Sequence, residues 1–316
     1  MTNQTLLLPT EYVLEYYDDY NDTVLNNSSK GIVFHYSHDI ISILVLFICT
    51  SGLVGNGIVI WLLGFHIKKN PFTTYILNLA VADFGVLISI FSFCTSELFP
   101  YSFFPFLQIM QVIYQFMHCS DHLLLTAISI ERCVSALFPM WHRCHRPTYL
   151  STFVCSQIWC FSIFPCVICI TFQIMESQQQ ALSAFLYHLI VIVVLCLPLL
   201  TLSTLILLFK FCCKAQQPHR GKLLTVILLT LIFFLIFAFP INAFVFFIHY
   251  FSNYEYFYLI EYGFLCASLN SGINPVIYFL VGRKKKSQTR ESMKVMLQRV
   301  FKEEEGKEEL ELADKT

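Results

Sequence analysis

Seven stretches of the chain are apolar for long enough to cross a bilayer, with short polar segments between them: Ile40 to Phe65, Thr73 to Cys94, Phe106 to Phe138, Leu150 to Ile174, Ala181 to Phe211, Leu223 to Phe251 and Phe257 to Val281. Hydrocarbon about 30 Å thick takes roughly 20 mostly apolar residues per helix, because each residue advances the helix only ~1.5 Å. The pattern predicts an all-α membrane protein, a seven-transmembrane helix bundle. Past the seventh stretch the pattern changes. Met293, Met296, Leu297, Val300 and Phe301 recur at helical spacing opposite Arg283 to Lys286, Arg290, Lys294 and Arg299, which predicts a short amphipathic eighth helix along the inner membrane face. Three regions follow: an extracellular, glycosylated and disordered tail over 1–39, a seven-transmembrane domain over 40–282, and a cytoplasmic amphipathic helix with an acidic tail over 283–316.

Composition agrees with a bilayer as solvent, since 56% of the residues are hydrophobic and only 13% are charged, against about 25% charged in an ordinary soluble domain. The net charge of −1 conceals an asymmetry. Lys68, Lys69, Arg132, Arg143, Arg146, Lys210, Lys214, Arg220 and Lys222 follow the odd-numbered spans, more basic residues follow the seventh, and on the opposite side only Lys30 occurs. Basic residues near span ends stay in the cytoplasm, so the N-terminus is expected outside and the C-terminus inside, with the inner surface facing anionic membrane lipid. Four N-glycosylation sequons, at Asn3, Asn21, Asn26 and Asn27, all fall in the tail that this orientation places outside. The run Leu6 to Leu8 is too short for a signal-peptide core, so the first span is expected to serve as its own signal. Most of the 13 cysteines lie within spans as small apolar residues and suggest no disulfide framework. Cys212 and Cys213, at the inner end of span five, are candidates for palmitoylation or inert interfacial thiols.

Ionisable groups at membrane depth are costly and usually face a protein interior or a water cavity. Here they are Asp83, His118, Asp121, His122 and the pair Glu131–Arg132. Asp121 and Arg132 are eleven residues apart, and at ~100° per residue they return to nearly one helix face. That face must point inward, carrying polar groups from mid-membrane to the cytoplasmic mouth. Other spans carry one polar or helix-breaking feature each: Asn56, Asp83, Trp159, Pro198, Pro240, and in span seven Asn274, Pro275 and Tyr278. No nucleophile–base set or metal-ligand spacing appears, and His118 with His122 lacks further ligands at tetrahedral spacing, so no enzyme, metal centre or nucleic-acid partner is expected.

Taken jointly, these features resemble the rhodopsin-like (class A) G-protein-coupled receptors over Ile40 to Val281. The segments "GLVGNGIVIWLLGFHIKKNPFTTYILNLAVAD", "LLLTAISIERCVSALFPMWHRCHRPTYLS", "FLIFAFP" and "INPVIYFLVGRKKKSQTRESMKVMLQRVFK" are similar to the Mas and Mas-related subfamily. So are Cys133 after the Glu–Arg pair, Ala238 two residues before Pro240, and Leu107 where most class A receptors place a cysteine at the outer end of span three. The resemblance implies a plasma-membrane receptor whose activation switch comprises Glu131, Arg132, Pro240, Asn274, Pro275 and Tyr278. Glu131 would hold Arg132 while the bundle is closed, and Arg132 would help form the G-protein groove when span six swings out. It implies heterotrimeric G proteins as partners, Gq and also Gi, with arrestin and receptor kinase as further partners.

Departures from the class also matter. Arg220 stands where many receptors carry an acidic tether for Arg132, which predicts ligand-independent signalling. Asp121 replaces the small residue usual in Mas relatives, and the fold would gather Asp83, Asp121, Asn56, Asn270, Ser271 and Asn274 into one polar chamber. Two carboxylates there would share a proton or bind Na⁺. Tyr114 occupies the place of the amine-receptor aspartate, which argues against a monoamine. Acidic residues Glu97, Glu176, Glu255 and Glu261 ring the outer side and would concentrate an extracellular peptide or cationic ligand. The alternative is a seven-span transporter or proton conductor using Asp83, Asp121 and the histidines, although duplicated halves are not seen.

Overall fold

The computed structural model describes residues 30–67, 70–96, 104–147, 149–174, 194, 196–213, 226, 228–234, 236–237, 258–282 and 293–298. Among the described residues the structure is helical, without strands. Span one is the helix Lys30–Trp61, which ends in one turn of π-helix, Leu62–His66, closed by the Ile67 amide donating to the Leu62 carbonyl at 2.9 Å. It starts ten residues before the boundary expected at Ile40, because nothing between Lys30 and Ile40 forces the helix to stop: no proline occurs there. The stretch put in a disordered tail is therefore helical from Lys30.

Span two, Pro71–Cys94, has a start written in local chemistry. Asn70 Oδ1 accepts from the Thr73 amide at 2.7 Å and Thr73 Oγ1 accepts from the Asn70 amide at 2.8 Å. Two helix-end donors are thereby satisfied, and Pro71 supplies a preset φ at the first helical position. Span three, Phe104–Leu137, has 34 residues, or about 50 Å at the standard rise, so it outreaches the hydrocarbon at its ends. The short helix Pro139–Cys144 follows it in the segment between spans three and four, a helix that the hydropathy pattern does not announce. Span four is Leu150–Ile174, the described part of span five is Leu197–Cys213, and span seven is Tyr258–Gly282. In span six the described residues 228–234 are helical. Residues 293–298 form part of the expected eighth helix, with Met293 exposed and Leu297 buried in the core.

Four described helices are long and apolar enough to cross a membrane: Ile40–His66, Pro71–Cys94, Leu150–Ile168 and Glu261–Val281. Among the described helices, span three packs against spans two, four and five, span two against spans one, three, four and seven, and span one against spans two and seven. Close approach of spans one and seven depends on glycine: a β-carbon at Gly55 would lie 3.0 Å from Cβ of Pro275, and one at Gly52 would lie 3.1 Å from Cα of Gly272. Apolar side chains such as Phe47, Phe65, Phe161, Phe164, Leu202 and Phe209 stay exposed on the outside of the bundle. With lipid as solvent such a surface carries no penalty; what distinguishes the interior is its polar content.

Candidate functional site

The polar residues of separate spans meet inside the bundle. Asp83 and Asp121 are almost wholly buried and face each other closely enough to share a hydrogen bond. Each is also held from span seven: Asn274 Nδ2 donates to Asp83 Oδ2 at 2.8 Å, and Asn270 Nδ2 donates to Asp121 Oδ2 at 3.2 Å. The spacing explains this. Asn270 and Asn274 lie four apart, one turn of the same face, so one helix presents two amides to two carboxylates on different neighbours.

Asn56 joins the chamber for a backbone reason. Pro275 has no amide hydrogen, so the carbonyl four residues earlier, that of Ser271, loses its helical donor. Asn56 Nδ2 donates to that carbonyl at 3.0 Å, and also to its own Gly52 carbonyl at 3.1 Å. The proline break in span seven is thus closed by a side chain from span one. Asn56 Oδ1, Asp83 Oδ1 and Asp121 Oδ1 remain buried without a hydrogen-bond partner.

The outward side of span three carries a stack of rings. Tyr114 lies over His118 at 5.2 Å between centroids, His118 over His122 at 4.2 Å, and His122 meets Phe234 of span six edge-on at 4.8 Å. Phe93 and Phe264 close round Tyr114 at 6.2 and 6.4 Å. Tyr114 therefore sits in an aromatic wall made by spans two, three and seven. Glu261 lies in the first turn of span seven, where a carboxylate complements the helix dipole.

Near the C-terminal end of span three, Glu131 is engaged by residues that follow it in the chain. Glu131 Oε1 accepts from Arg146 Nε at 2.6 Å and lies 3.1 Å from His142 Nε2. Arg146 Nη2 also donates to Ser151 Oγ at 2.5 Å. The carboxylate thereby ties span three to the loop helix and the start of span four. Arg132 sets its guanidinium carbon 4.1 Å over the centroid of Phe72, in the first turn of span two. The physical reason is geometric. Adjacent helical residues diverge by ~100°, so the inward course of Arg132 turns Glu131 toward the returning loop. Arg132 is buried over an aromatic face, where cation–π attraction is strongest.

The remaining switch positions are distributed plainly. Tyr278 is buried and Pro275 lies within span seven, while Trp159 Nε1 donates to Asn78 Oδ1 at 2.8 Å, fastening span four to span two. Pro240, Arg220, Ala238, Glu97, Glu176, Glu255 and the sequon residues Asn3, Asn21, Asn26 and Asn27 lie outside the described residues. Cys212 and Cys213 end the span-five helix. Phe72, Asn78, His142 and Ser151 were not singled out from sequence. Asn78 offered a signal, as an amide five residues before Asp83 on an otherwise apolar span; Phe72 offered none, being one aromatic among 32 phenylalanines.

This arrangement, a polar chamber and a buried arginine inside an apolar helix bundle, is that of a membrane receptor. Residues 55–278 match the family described as 7 transmembrane receptor (rhodopsin family). The chain is 36% identical over 296 residues to "Proto-oncogene Mas" of Rattus norvegicus, covering 90% of this chain and 91% of the relative. It is 34% identical over 296 residues to "Mas-related G-protein coupled receptor member D" of Macaca fascicularis, covering 88% and 90%. "Mas-related G-protein coupled receptor member H" of Rattus norvegicus is 36% identical over 269 residues, covering 82% of each chain. The chain belongs to the rhodopsin family of G-protein-coupled receptors, in the Mas and Mas-related group.

Proposed function

We propose that this receptor stands in the plasma membrane with its N-terminus outside, binds an extracellular peptide or small cationic ligand, and promotes nucleotide exchange on heterotrimeric G proteins of the Gq class and also Gi. The observation that carries the reading is the paired contact of Asn270 and Asn274 with Asp121 and Asp83. It couples spans two, three and seven through groups that have more than one satisfactory partnership, which is what a two-state element requires. Tyr114 and its aromatic neighbours form the floor of the ligand site, and the acidic residues Glu97, Glu176, Glu255 and Glu261 draw cationic groups toward it. In the same reading Asp83, Asp121 and Asn56 hold one Na⁺ or one shared proton, which strengthens the closed arrangement. Arrestin and a receptor kinase engage the active form at the cytoplasmic side.

The test is nucleotide exchange by the purified receptor in lipid nanodiscs with Gq- and Gi-class heterotrimers, screening basic peptides by calcium release in cells. Ligand-dependent exchange is expected. Ion or proton flux through reconstituted receptor, with no exchange on any heterotrimer, would overturn the proposal in favour of a transporter.

A further inference from the structure

Between the aspartate chamber and Arg132 lies an apolar layer with one polar member among the described residues. Leu79 is one turn below Asp83 on span two, and Ile128 is one turn above Arg132 on span three. Val226, Thr230 and Leu231 of span six close against them, round a cavity of about 10 Å³ also lined by Ile76. Thr230 is only 7% exposed, and its Oγ1 has no hydrogen-bond partner. This is unusual within the molecule. Buried threonines normally return their hydroxyl to the carbonyl four residues back, as Thr126 does to His122 at 2.8 Å and Thr204 does to Leu200 at 2.6 Å.

The cavity is near the lower bound for a single water, roughly 10–15 Å³, and a buried water typically makes about three hydrogen bonds. The other described lining side chains are apolar, so water is poorly held while the layer is closed. We propose that Thr230 is a built-in bias toward opening. Its unsatisfied hydroxyl destabilises the closed layer, and water admitted when span six moves away from spans two and three supplies the missing partner. The inference rests on the receptor reading above and adds a residue that sets its ligand-free activity.

The experiment compares full-length receptor with Thr230→Val, which keeps the shape and removes the hydroxyl, and with Thr230→Ser, which keeps the hydroxyl. Two quantities are read in nanodiscs: ligand-free nucleotide exchange on Gq- and Gi-class heterotrimers, and apparent Tm without G protein. Thr230→Val is expected to lower ligand-free exchange by roughly 5- to 150-fold, the equilibrium equivalent of an unsatisfied buried hydroxyl, and to raise Tm. Thr230→Ser keeps exchange near the parent rate. A Thr230→Val receptor that exchanges at or above the parent rate, or melts no higher, overturns the proposal. If the parent receptor drives no exchange on any heterotrimer, the receptor reading fails instead, and Tm alone then decides the role of Thr230.

Discussion

The Glu131–Arg146 contact gives the sharpest test of how the end of span three is tied to the start of span four. The side chains are 14% and 5% exposed and meet at 2.6 Å. Removing one partner of a well-buried pair costs about 3–5 kcal/mol, because the other charge is left uncompensated. Two features reduce that here: Glu131 keeps some access to water, and His142 Nε2, 3.1 Å from the same oxygen, takes part of the load. About 2 kcal/mol is expected for Arg146→Met, or an apparent Tm lower by roughly 4–8 °C at 2–4 °C per kcal/mol. The assay is a double-mutant cycle of Arg146→Met and Glu131→Gln, read as thermal unfolding in nanodiscs. If the two side chains act as one unit, the double mutant melts no lower than Arg146→Met alone. Losses that add to the sum of the single mutants would refute the pairing. Function gives an independent sign. Arg146→Met frees the Glu131 carboxylate to turn toward Arg132, so ligand-free exchange should fall.

Two further outcomes follow from the geometry and a third from the sequence. Trp159→Phe removes the 2.8 Å bond to Asn78 Oδ1 and leaves a half-buried amide oxygen unpaired, lowering stability by about 1 kcal/mol in thermal unfolding, whereas Asn78→Ala in that background should add almost nothing. Asp121→Gly deletes one of the two facing carboxylates and should abolish sodium dependence of agonist affinity in radioligand competition; a mutant that keeps the dependence rejects the cation proposal. Arg220→Glu restores an acidic tether at the base of span six and should lower ligand-free signalling in a cell assay, with unchanged signalling counting against a missing tether as its source.

The span pattern and the identity of the interior polar residues were legible in the linear chain, because each depends on a local quantity. Bilayer thickness sets span length, helical period sets which residues share a face, and Asn70-Pro71 with Thr73 is a complete helix start within four positions. Even the gathering of Asp83, Asp121 and Asn274 followed from costs that push charged groups inward and from resemblance to a receptor family. Partner choice was not legible. Glu131 has a neighbour in sequence, Arg132, and a neighbour in space, Arg146, fifteen residues on. Only the course of the loop helix Pro139–Cys144 decides between them. The same holds for Phe72 beneath Arg132, and for Thr230, whose hydroxyl would satisfy itself in most helices. A sequence prices the burial of each polar group, but which atom finally answers it is a property of several helices packed at once, and that is what the tertiary structure decided.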